Sequence, residues 1–110
     1  MKIKDAKIYQ LSDIAAAAQQ QIQANFPHLD PIIGVSHNLR KSGFNADTMT
    51  IDNQKTDKRI LIILHDDKPD SADVEFCYCS TDPKFDFTRI PLESLTQAKF
   101  YQWMLEKLTE

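Results

Sequence analysis

The side chains best suited to chemistry crowd one stretch of this 110-residue sequence: His65, Asp66, Asp67, Cys77 and Cys79. Together they offer the donor types of a zinc site, which needs about four ligands within about 2.3 Å of the ion. A hairpin turning at residues 68–71 sets His65 opposite Val74, Cys77 opposite Ile62 and Cys79 opposite Ile60. At about 3.3 Å per residue, the thiols then lie about 10 Å or more along the strand from the imidazole. A Cys-x-Cys pair without a second pair also lacks the spacing of zinc motifs. The simpler account is two small hydrophobes on a core-facing strand, since free cysteine is among the most buried residue types. No metal is expected.

Acid–base chemistry has two further candidates. His65 beside Asp66 could act as a base with an orienting carboxylate. Neighbours on a strand, however, point to opposite faces, so the pair meets only if the turn starts at Asp66. His37 lies among Ser36, Arg40 and Lys41, but no Gly-x-Ser-x-Gly elbow accompanies it, and a serine next to a histidine is not a triad. His37, Arg40 and Lys41 read instead as a basic loop that could contact a ligand. Gly34 and Gly43 are the only glycines, which removes both the phosphate-binding loop and the dinucleotide fingerprint. No cofactor is expected, and no catalytic residue is assigned.

Charge supplies the remaining lead. The chain has 13 basic and 16 acidic residues, a formal net charge of −3. From 66 to 86 lie Asp66, Asp67, Asp70, Asp73, Glu75, Asp82 and Asp86 against only Lys68 and Lys84, a local balance of −5, so the rest of the chain carries +2. A concentrated basic face for duplex phosphates is missing. Asp66, Asp67, Asp70 and Asp73 form an acidic hairpin suited to a basic protein partner.

The elements that position these groups follow from periodicity. Ser12 and Asp13 suit a helix start, and Ile14, Ala15, Ala18, Ile22 and Phe26 form an apolar stripe that Pro27 ends. Residues 3–10 read either as a strand or as an earlier turn of that helix. Ile32, Ile33 and Val35 suggest a brief strand, and residues 36–45 a loop or curled edge strand. Residues 46–52 alternate, as a half-buried strand does. Residues 59–65 are apolar at both parities, which calls for a central strand covered on both faces, by the helices or by a second copy. Residues 73–80 form its hairpin partner, and the short connections favour an antiparallel meander. A short edge strand fits within 81–90. A closing helix starts at Pro91 or is capped by Ser94. It aligns Ala98, Tyr101, Met104, Leu105 and Leu108, with Phe100 and Trp103 widening the apolar face. Phe100, Tyr101, Trp103 and Met104 are candidate interface residues, because aromatics and methionine are enriched at interface centres.

Hydrophobic residues amount to 42%, and the longest apolar run, Ile60 to Leu64, is far shorter than the roughly 20 residues of a spanning helix. The start of the sequence lacks the pattern of a secretory leader, so the expectation is cytoplasmic. These observations converge on one α+β domain over 1–110: an N-terminal helix, an antiparallel meander of three to five strands, and a C-terminal helix packed on the sheet. The function expected is a small non-catalytic binding protein, inhibitor- or immunity-like, and possible homodimerisation follows from the two-faced strand. The alternative is a small-ligand domain or enzyme centred on His37 or His65.

Overall fold

The apolar spacing of the first segment starts earlier than its polar residues suggest. The computed structural model describes residues 7–109, and its first helix, α1, runs over Lys7–Asn25. Ile8, Leu11, Ala15, Ala18 and Ile22 are its buried residues, recurring at three- and four-residue steps as one helical stripe requires. Ser12 and Asp13 therefore lie inside the helix. Burial of Ile8 and Leu11 prevails over the local start signal, because tertiary packing overrides capping preference. Ile14 and Phe26, expected on the stripe, sit at its margin and are exposed. Of the two readings for residues 3–10, helix holds from Lys7 onward; residues 3–6 lie outside the described part.

Five strands follow: β1 (Ile32–Ser36), β2 (Ala46–Asn53), β3 (Lys58–His65), β4 (Ser71–Tyr78) and β5 (Thr88–Pro91). They form one sheet in sequence order, every neighbouring pair antiparallel. A one-turn helix, α2 (Asn38–Lys41), joins β1 to β2 where a loop or edge strand was expected. After a short 3-10 turn at Leu92–Ser94, α3 runs over Gln97–Lys107. Its cap is Thr96, whose hydroxyl accepts from the Lys99 N–H at 3.2 Å, rather than Pro91 or Ser94. The fold is α+β, as the sequence indicated.

Both helices cover the same face of the sheet. Ile8, Leu11, Ala15, Ala18 and Ile22 share one core with Met49, Ile51, Ile60, Ile62, Leu64 and Val74, closed by Phe100, Trp103, Met104 and Leu108. Fully buried alanines at 15 and 18 let α1 lie close to its neighbours. Of the two ways expected for covering both faces of β3, by the helices or by a second copy, the one with helices on opposite faces is thus not met. Its second row, Leu61 and Ile63, lies on the helix-free face and is still only 8% exposed. Ile63 lies beside Phe44 and Phe85, which border the same concavity.

The register of β3 against β4 also departs from the expected hairpin. Ile62 pairs with Val74 and Arg59 with Cys77, a slip of three residues from the register built on a 68–71 turn. β3 ends at His65 and β4 starts at Ser71, so the turn lies earlier than supposed, at residues 66–70. An odd-numbered slip exchanges the faces, so His65 joins Asp73 on the helix-free face instead of Val74. Cys77 and Cys79 do not face the core. Both are half-buried free thiols, and Cys77 lies on the helix-free face.

Candidate binding site

The end of the sheet where β2 begins and β3 finishes gathers most of the charged side chains. His37, at the start of α2, presents Nδ1 to Asp47 Oδ1 at 2.6 Å and Nε2 to the Tyr9 hydroxyl at 2.8 Å. With Asp47 ionised, Nδ1 carries the proton it donates. Arg40 donates from Nε and Nη2 to the two Asp47 oxygens (3.1 and 2.8 Å) and from Nη1 and Nη2 to those of Asp66 (2.8 and 2.9 Å). A continuous chain, Tyr9–His37–Asp47–Arg40–Asp66, therefore ties α1 to α2, β2 and the β3–β4 turn. Arg40 holds both carboxyls below their ordinary range, and in Asp47 this outweighs the opposing effect of burial. The Asp47 side chain is 8% exposed, so its charge depends on these partners.

His65 lies across the wall formed by this chain. Its Nε2 meets Asp73 Oδ2 at 3.1 Å, and Arg89 donates from Nε to Asp73 Oδ1 at 3.0 Å. Burial pushes the Asp73 carboxyl up, but Arg89 and then His65 outweigh it and keep it below the usual carboxylate range. Further along the same face Arg59 pairs with Asp52 (2.7 and 2.8 Å).

Two concavities meet at His65 and Asp66. One, on the helix-free side, is a shallow cleft of about 640 Å³ floored by Ala46 and Ile63 and flanked by Phe44 and Phe85, with Asp67 on its rim. The two phenylalanines are 62% and 68% exposed. The other, of about 340 Å³, lies on the helix side beneath Lys7 and Lys68.

Phe85 owes its position to a buried carboxylate. Glu75 accepts from the Lys84 and Asp86 N–H groups, both at 2.8 Å. Between them Phe85 adopts φ 60°, a left-handed conformation that costs a non-glycine residue about 1 kcal/mol or more. The backbone is thus held in a strained state with its aromatic ring in solvent, the reverse of what apolar burial favours.

The acidic hairpin is therefore divided. Asp66 is paired with Arg40, which it shares with Asp47, and Asp73 is paired with Arg89 and hydrogen-bonded to His65, leaving Asp67 and Asp70 exposed without an ion pair among the described residues. The basic loop is divided too: His37 and Arg40 are engaged internally, and Lys41 alone is exposed. Of the interface candidates, Phe100, Trp103 and Met104 are buried in the chain's own core. Tyr101 is half-buried, and its hydroxyl accepts from Asn25 at 2.9 Å. The phase of α3 explains the difference: its buried side is centred on Phe100, Trp103 and Met104, and Ala98, expected on that side, is exposed.

Sequence reasoning overlooked Phe44, Phe85, Glu75, Asp47 and Tyr9. For the two phenylalanines a signal existed, since each sits in a turn-rich polar stretch, Gly43-Phe44-Asn45 and Pro83-Lys84-Phe85-Asp86, where burial on a regular element is unavailable. Glu75, Asp47 and Tyr9 gave none, because their partners are distant in sequence. Among the described residues no cluster of three or more His, Cys, Asp or Glu side chains is arranged to hold a metal ion. No family model, curated protein or solved structure matches this chain.

Proposed function

We propose that the chain is a non-catalytic binding module that receives a basic protein segment in the cleft between Phe44 and Phe85. The observation that carries this reading is the pair of exposed phenylalanines on either side of an acid-rimmed cleft. A long arginine or lysine side chain matches both chemistries: its aliphatic stem lies on Ala46 and Ile63, its cation meets the aromatic faces, and Asp67 faces it from the rim. Asp67 and Asp70, exposed and without an ion pair among the described residues, attract such a partner and speed its approach. Binding is favoured over catalysis because His37 has both ring nitrogens engaged and His65 is turned onto Asp73.

The test is fluorescence polarisation with a labelled arginine-rich peptide, beside a glutamate-rich peptide of equal length. The arginine peptide should bind with an affinity that falls as salt rises. Phe44→Ala and Phe85→Ala should each weaken it about five- to tenfold. Equal binding of the two peptides, or arginine-peptide binding unchanged in both phenylalanine variants, overturns the proposal.

A further inference from the structure

We infer that the helix-side cavity is a second, separate site, for a small amphipathic carboxylate with a compact apolar body. Its volume, about 340 Å³, falls at the lower end of small-molecule pockets, which span about 300–1,000 Å³. Its walls are apolar where they meet the core: Ile8 from α1, Leu64 from β3, Pro69 from the β3–β4 turn and Leu92 from the 3-10 turn. Four separate segments thus converge on one space, and none of these side chains offers a polar group. The ligand's body is therefore apolar, and the cavity admits about a dozen heavy atoms at the packing density of protein interiors.

The polar end is set by charge. Arg40, Asp47 and Asp66 also line the cavity, but they satisfy one another: four guanidinium hydrogen bonds run to the two carboxylates. That trio has a net charge of −1, whereas Lys7 and Lys68 contribute +2 at the rim, so the lining carries +1 apart from His65. Lys7 Nζ donates to the Pro69 carbonyl at 2.7 Å, which places an ammonium across the mouth with donors to spare. Neither lysine is ion-paired with a carboxylate among the described residues. An anionic head at the mouth gains both cations, while its apolar body replaces water against Ile8, Leu64 and Leu92. A cationic head would face two ammonium groups, and the carboxylates that line the cavity among the described residues, Asp47 and Asp66, are already paired to Arg40. This site prefers an anion and the Phe44–Phe85 cleft a cation, so the two are separable by experiment.

Methyl-detected NMR titration tests the inference, with 4-phenylbutyrate as probe and 4-phenylbutanol and 4-phenylbutylamine as neutral and cationic controls. The carboxylate should move the methyl resonances of Ile8, Leu64 and Leu92 and bind at least about fivefold more tightly than either control, the value of one ion pair of about 1 kcal/mol. Lys7→Glu/Lys68→Glu alters exposed residues only and should remove that preference. Leu92→Phe, which fills the space from the half-buried 3-10 turn, should weaken all three probes together. Methyls unmoved by tens of millimolar 4-phenylbutyrate overturn the inference, as does equal binding of the amine or a preference that survives the double variant.

Discussion

Arg40 and Phe85 are the two residues whose surroundings depart furthest from what their types suggest. Arg40, expected in a solvated loop, is the one cation among the described residues that bridges Asp47 and Asp66. Replacing it with methionine keeps the stem but leaves the buried Asp47 with His37 alone, and should cost about 2 kcal/mol in chemical denaturation, the range for a charged hydrogen-bonded partner removed from a poorly solvated group. Phe85 presents the opposite case. Phe85→Gly relieves the left-handed strain and should leave the protein as stable or up to about 1 kcal/mol more stable, while weakening capture of the arginine peptide. A residue whose loss harms binding but not stability belongs to a binding surface. Cys77 and Cys79 are raised above the ordinary thiol range, by burial first and then by Glu75 and Asp52 respectively. Both thiols are thus protonated at neutral pH, and alkylation by iodoacetamide should be slow at pH 7 and climb about tenfold per pH unit without levelling off by about pH 9.

At the scale of elements, the caps and pins hold the ends together. Asn53 at the end of β2 and Thr56 in the next turn both donate to the Leu108 carbonyl, at 2.8 and 2.7 Å, closing the last turn of α3 from the sheet side. At the other end Thr96 alone caps the helix by its side chain, so Thr96→Ala should lower stability by about 1 kcal/mol and the melting temperature by about 4–8 °C. The periodicity of α1, β2 and β3 was legible because each buries one parity or stripe against the same core. The start of α1, the phase of α3 and the β3–β4 register were not. Each depends on which of two nearly equivalent apolar sets wins the packing, Ile8 and Leu11 against Ile14 and Phe26, or Phe100 against Ala98.

For the molecule as a whole, the ion-pair chain predicts the response to acid. Asp47, Asp66 and Asp73 all titrate below the usual carboxylate range in the folded state. The unfolded chain therefore binds protons first as pH falls, and the stability these groups contribute is complete above their unfolded values, near pH 4. It is lost as pH drops through the depressed folded values. The melting temperature should be flat from about pH 7 to pH 5 and decline below about pH 4. Arg40→Met, with Asp47 and Asp66 no longer held down, should show a shallower decline. A folded state that weakens instead between pH 6 and 7 would place the dominant titration on the histidines.

By itself the sequence determined the α+β class, the meander and the identity of the central strand, because alternation and helical spacing are local properties that only one pairing of short connections satisfies. It also located the negative charge in residues 66–86. Tertiary structure alone decided which of those charges remain available: Arg40 reaches Asp66 across 26 positions and Arg89 reaches Asp73 across 16. Electrostatic pairing depends on distance in space, and that distance is fixed by strand register and by the single face on which both helices pack. The same two facts leave Phe44 and Phe85 in solvent on the opposite side.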